Sequence, residues 1–295
     1  MRTTFTGVGT ALITPFTTTG AVDEPAVRRL ARRQIDLGIH FLVPCGTTGE
    51  VPTLTNDEQH ALFAVAVDAA RGRVPVIAGC GSNDTATAVA HIRAAEACGA
   101  DAALVVIPYY NKPSQAGLVA HFEALAEASD LPILIYNVPG RTVTDIGVET
   151  LGLVSRIPSV VGVKDATGNL ARVSAQRLAC GEAFCQLSGN DDMALGFNAM
   201  GGVGCISVTA NVAPRLCADF QQAMREGRWD DALALQDRLY PLHDAMFADC
   251  SPGPAKYALS RVRPGFSTEL RLPLVGPSDA AKRVVDAALA HAGLV

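Results

Sequence analysis

The chain has 295 residues, of which 49% are hydrophobic, 18% charged and 5% aromatic. That apolar content is enough for a full core and excludes disorder as the main state. The formal net charge of −5 comes with no basic patch, which argues against nucleic acid as the main partner. No apolar run approaches the ~20 residues of a membrane span, and the opening MRTTFTGVGTALITPF lacks a signal-peptide pattern, so a cytoplasmic protein is expected.

Short apolar runs alternate with longer amphipathic stretches. Strands are predicted at 8–13, 40–44, 74–78, 102–107, 133–136, 160–164, 184–187 and 203–206. Helical stretches with start and stop signals separate them. Thr55 and Glu58 form a capping box that opens a helix ending near Arg71. Asp84 opens the next, ending near Cys98 with Gly99 in the stop position. Ser114 opens a third, ending near Ser129, and an eighth starts near Pro214. Strands joined by single helices run parallel, so eight strand–helix units predict a (β/α)8 barrel over residues 1–226, with a doubly wound open sheet as the rival. Beyond 226 the alternation stops. Helices at 228–247, 253–260 and 278–292 predict a C-terminal helical extension, 227–295, packed on the barrel.

Eight cysteines, at 45, 80, 98, 180, 185, 205, 217 and 250, form no CxxC pair, and six histidines form no cluster. Buried free thiols are expected, with no disulfide and no metal site.

Barrel chemistry collects at the carboxyl ends of the strands. Lys164 ends the apolar run Val160-Val-Gly-Val-Lys164 and is one of only four lysines, with Lys112, Lys256 and Lys282. A dry site disfavours an ammonium, and a neutral amine can attack a carbonyl to form a Schiff base. Strand alternation puts Gly162 on the same face, where it would leave open space beside the amine. The competing reading is a lysine that snorkels to the rim or pairs with Asp165. Tyr136 ends the fifth strand and could shuttle protons. Arg141, five residues on, carries a planar fork suited to a carboxylate. Gly46-Thr47-Thr48-Gly49-Glu50 follows the second strand, where backbone N–H groups and hydroxyls could cradle a small anion. Tyr109 and Tyr110 follow the fourth strand and fit packing or an oligomer contact equally well. Together these groups suit carbonyl chemistry on a 2-oxo acid. The acidic loop 188–192 after the seventh strand disfavours a phosphosugar isomerase, and no nucleotide-binding glycine motif is present.

At these residues the chain resembles the dihydrodipicolinate synthase/N-acetylneuraminate lyase family of class I pyruvate aldolases. The resemblance runs almost end to end. Its motifs are Gly46-Thr-Thr-Gly-Glu50, Pro108-Tyr-Tyr-Asn111, Tyr136-Asn-Val-Pro-Gly-Arg141, Val163-Lys-Asp165 and Gly204-Cys-Ile-Ser-Val-Thr209. It implies that Lys164 forms an imine with pyruvate and that no cofactor is needed. By the same resemblance Thr47 and Thr48 hold the pyruvate carboxylate. Tyr136 transfers protons through a relay completed by Thr47 and by Tyr110 from a neighbouring subunit. Gly189 and Ile206 border the substrate. Arg141, where sialic acid lyases usually carry an apolar residue, implies a short acidic aldehyde, aspartate semialdehyde, within lysine and diaminopimelate biosynthesis. A homotetramer built as a dimer of dimers is implied as well. Rivals are a sister aldolase or dehydratase using another aldehyde and a non-catalytic paralogue.

The chain also departs from the pattern. Val51 stands where many synthases have serine. Asn56, Gln59 and Thr87 replace the histidines and the acid of a lysine-inhibition pocket, although Asn83 and Tyr109 match it. Weak or absent inhibition by lysine is therefore expected.

Overall fold

The computed structural model describes residues 5–295. Among them are eight strands: β1 Gly7–Ala11, β2 Phe41–Val43, β3 Ile77–Gly79, β4 Ala102–Val106, β5 Ile133–Asn137, β6 Val160–Asp165, β7 Cys185–Ser188 and β8 Gly204–Ser207. The sheet order is β2-β1-β8-β7-β6-β5-β4-β3; β1 runs parallel to β2, and each strand from β3 to β8 runs parallel to the next. At the ends of that order Leu42 N donates to Pro75 O at 2.9 Å, linking β2 to the segment that enters β3. Consecutive strands are neighbours throughout and the eighth adjoins the first, which is the (β/α)8 barrel. A sheet covered on both faces must be apolar on both. Accordingly every residue of β5 and β6 is buried.

The helices are α1 Glu24–Asp36, α2 Asn56–Ala70, α3 Thr85–Ala97, α4 Gln115–Ala128, α5 Pro139–Thr142 and α6 Val148–Val154. They continue with α7 Ala171–Cys180, α8 Ala194–Ala199, α9 Pro214–Arg225, α10 Trp229–Ala245, α11 Gly253–Val262 and α12 Asp279–His291. Their ends follow the local signals. Thr55 and Glu58 cap each other at the start of α2, and Arg71 closes it in the left-handed conformation. Asp84 and Ser114 accept from the third residues of α3 and α4, Thr87 N and Gly117 N. Gly99, after α3, has φ +80°, a conformation glycine adopts without strain.

Some expectations are corrected. The third strand starts at Ile77 rather than at 74. Pro75 has no N–H to give a ladder, and Val76 N donates instead to Asp101 Oδ2 at 2.8 Å. Cysteines 45, 80, 185, 205 and 217 are buried thiols, but Cys98 and Cys180 are half-buried and Cys250 is exposed. These three lie outside the strand patterns, where burial is not imposed.

Two compact units divide the chain. One holds residues 7–75 and 207–295, the other Phe5, Thr6 and residues 76–206. In the first, α9 packs on β1, and α10 and α11 pack with α12. Buried Asn211 ties its two halves together, donating to Ala11 O at 2.8 Å and accepting from Ile13 N at 3.2 Å. In the second, β3 to β7 alternate with α3 to α8 along the chain, α3 packing on β4 and α8 on β7.

Candidate active site

Lys164 is 6% exposed and lies one residue before the end of β6. Its Nζ sits 4.0 Å from the centroid of the Tyr136 ring, a register partner on β5. Among the described residues the Lys164 amine makes no hydrogen bond or ion pair; the phenol ring face is its neighbour. A buried amine without a carboxylate is costly and invites a functional reading.

Asp165 does not pair with it. Successive strand residues point to opposite faces, and the Asp165 carboxylate, on the other side of β6, is fully used. It accepts from Thr167 N at 2.8 Å and Thr167 Oγ1 at 2.6 Å. It also accepts from Arg172 Nε at 3.1 Å and Gln176 Nε2 at 2.5 Å. Arg172 continues to Ile146 O at 2.8 Å, and Asp145 accepts from buried Asn137 at 2.7 Å. This network ties the segment after β5 to β6. Sequence reasoning missed it because its members lie far apart along the chain.

Gly162 leaves no open space, which corrects the alternation argument. A Cβ there would lie 2.4 Å from Cys185 O, because β7 approaches at that point. The glycine that makes room for the amine is Gly189, past β7. A Cβ on it would stand 3.1 Å from Lys164 Cε and 2.6 Å from Ala166 Cβ. Lys164 thus stands against the Tyr136 ring and beside the backbone of Gly189. Ile206 is buried in β8. Arg141 is exposed on α5; its backbone N donates to Val138 O at 2.9 Å, and its guanidinium makes no hydrogen bond or ion pair among the described residues. Tyr110, after β4, is 88% exposed and has φ +70°. A left-handed tyrosine is strained, and Lys112 beside it has φ +50°.

In the other unit, Thr47 and Thr48 form a 3-10 turn, Thr47–Gly49, just past β2. Left-handed residues bracket it, Cys45 at φ +56° and Glu50 at φ +57°. Gly49 N closes the turn on Gly46 O at 2.9 Å. Thr14 Oγ1 donates to Gly49 O at 2.7 Å. The Thr47 and Thr48 hydroxyls and N–H groups have no partner among the described residues, so four donors remain for an anion.

Glu50, the last residue of that motif, is buried against the C-terminal helices. Its Oε1 forms an ion pair with Lys256 Nζ on α11 at 2.5 Å, both side chains being 0% exposed. Arg271 N donates to Glu50 Oε2 at 3.2 Å, and Lys256 also donates to Glu269 O at 2.6 Å. Burial holds the Lys256 amine below its ordinary pKa, and Glu50 opposes the shift. Phe16 packs against two cations, its ring centroid 4.4 Å from Lys256 Nζ and 4.5 Å from Arg271 Cζ. Arg271 pairs in turn with Glu58 at 2.5 Å and holds that carboxyl down at about 2. One signal could have found Lys256: a lone lysine inside the small-residue stretch Gly-Pro-Ala-Lys-Tyr-Ala-Leu-Ser.

Among the described residues no helix is long and apolar enough to cross a membrane. The sequence model described as the Dihydrodipicolinate synthetase family matches residues 4–292. A Zymomonas mobilis protein named 4-hydroxy-tetrahydrodipicolinate synthase is 66% identical over 99% of this chain and 100% of its own. One of the same name from Rhizorhabdus wittichii is 62% identical over 98% and 99%. The chloride-inhibited dihydrodipicolinate synthase of Acinetobacter baumannii, solved with pyruvate, superposes with a TM-score of 0.96 at 37% identity, covering 99% of this chain and all of that one. With a whole-length family match, close relatives and a shared fold in agreement, the chain belongs to the dihydrodipicolinate synthetase family.

Proposed function

We infer that this chain is a lyase of the class I aldolase type that condenses pyruvate with L-aspartate 4-semialdehyde, the 4-hydroxy-tetrahydrodipicolinate synthase reaction. The observation that carries the chemistry is the buried, unpaired amine of Lys164 against the Tyr136 ring. The relatives' names support the substrates.

Lys164 Nζ adds to C2 of pyruvate, and loss of water leaves a protonated imine. That cation is an electron sink, so a C3 proton departs and an enamine forms. The enamine carbon attacks the aldehyde, whose oxygen takes up a proton, and later exchange of the imine frees Lys164. Tyr136 carries protons in these steps, with Thr47 and a neighbouring subunit's Tyr110 completing the relay. Thr47 and Thr48 bind the pyruvate carboxylate through their unspent donors, while Gly189 and Ile206 border the substrate. Arg141, unpaired and exposed, takes the carboxylate of the aldehyde. The strained, outward Tyr110 is what an interface residue would look like before its partner is added; a tetramer built from two such dimers is what the family resemblance implies. The imine is the only prosthetic chemistry this scheme requires. Thr87 supplies a hydroxyl already spent on Asp84 at 2.6 Å rather than a new carboxylate, so lysine should half-inhibit only at millimolar levels or above.

The test is a coupled assay. Purified protein receives pyruvate and aspartate semialdehyde, and added dihydrodipicolinate reductase reports product as loss of NADPH. Turnover in the parent and none in Lys164→Ala is the expected result. Borohydride trapping of pyruvate without turnover would keep the Schiff base and move the substrate to another aldehyde.

A further inference from the structure

Glu50 and Lys256 form a fully buried ion pair between the turn after β2 and α11. Two features of this pair go beyond packing. The first is backbone strain. A non-glycine residue in the left-handed region persists only where its surroundings over-determine it. Glu50 holds φ +57° and ψ 33° at the close of the Thr47–Gly49 turn. Its carboxylate is pinned on both oxygens, by Lys256 on one and by Arg271 N on the other. The second is the route of support. Lys256 reaches back to Glu269 O, and Arg271 reaches Thr53 O at 2.8 Å and Gly20 O at 2.8 Å. The C-terminal segment therefore grips the turn at Glu50 and again at Thr53, three residues on. From the proposed carboxylate cradle it is one residue to Gly49 and two to Glu50.

We propose that Lys256 is a positioning residue for pyruvate: through Glu50 it holds the Thr47–Thr48 turn in the shape that offers its N–H and hydroxyl donors to the carboxylate. This rests on the reading of Thr47 and Thr48 given above. Lys256 touches no substrate and takes no part in proton transfer. Removing it frees Glu50 to leave the left-handed conformation, and the donors lose their common focus.

The experiment compares the parent, Lys256→Met, and the double variant Glu50→Gln with Lys256→Met. Each is checked by circular dichroism and thermal unfolding. Each is then titrated with pyruvate, using borohydride trapping and the coupled assay. A misplaced donor set should raise the half-saturating pyruvate concentration about ten- to a hundredfold and leave the KM for the aldehyde within about twofold. The double variant separates positioning from stability. It removes both buried charges together, so its melting temperature should return toward the parent's, while its weakened pyruvate saturation should persist. Unchanged pyruvate saturation in both folded variants overturns the proposal. Recovery of saturation together with stability in the double variant overturns it too, since the pair would then be structural only. Failure of the parent itself to trap pyruvate would instead sink the Schiff-base reading, and the positioning role with it.

Discussion

Two lysines are buried in this protein, and their surroundings are opposites. Lys256, in the unit formed by residues 7–75 and 207–295, has a carboxylate at 2.5 Å, a backbone acceptor and an aromatic face. Lys164, in the other unit, has among the described residues no charged partner and lies against the Tyr136 ring. Desolvating an ammonium is expensive, and an ion pair offsets the cost only when its geometry is good. Lys256 meets that condition and is locked in place. Lys164 does not, and a group kept at such a cost belongs where chemistry needs it. Burial alone does not mark a reactive lysine; the role proposed for Lys164 rests on burial without a counter-charge.

The comparison breaks most sharply on stability. Lys256→Met leaves Glu50 buried and unpaired and should cost about 3–5 kcal/mol. Lys164→Met strands no partner and should stay within about 1 kcal/mol of the parent. Urea unfolding of the two variants side by side decides it. Equal losses would mean that Lys164 has a partner of its own.

A smaller effect sharpens the picture around Lys164. Gly189→Ala sets a methyl 2.6 Å from Ala166 Cβ and 3.1 Å from Lys164 Cε. Overpacking of this kind costs about 1–3 kcal/mol. It should also lower turnover by displacing the amine, whereas Gly46→Ala, which meets nothing within 4 Å, should unfold like the parent. Parent-like turnover from folded Gly189→Ala would show that the amine tolerates displacement.

A pH-dependent effect extends the comparison to another base. His121 on α4 is buried, bonded through Nδ1 to Thr85 Oγ1 at 2.9 Å. Burial pushes its pKa down to about 4, and Asp84 only partly opposes this. The folded value is depressed, so the unfolded chain takes up the proton first. The contribution to stability is therefore whole above pH ~6.5 and is lost as pH falls toward 4. The loss should be on the order of 3 kcal/mol and should shrink in His121→Gln. Parallel stability–pH curves for parent and variant would refute it.

The sequence by itself determined the alternation of eight strands with helices, the helix caps and the identity of the strand-end residues. These depend on local periodicity and on side chains within a turn of one another. Lys164, Tyr136 and the Gly46–Glu50 motif could be picked out because a polar residue ending an apolar run is anomalous at the level of the chain. Only the tertiary structure decided what each lysine faces. Glu50 and Lys256 are 206 residues apart in sequence, and nothing local tells a paired lysine from an unpaired one. Alternation misplaced the room beside the amine in the same way, choosing Gly162, which meets the β7 backbone, over Gly189, which meets Lys164. Periodicity fixes which face a residue takes, but the approach of a neighbouring strand decides whether that face holds space, and that distance is set by packing across the whole sheet.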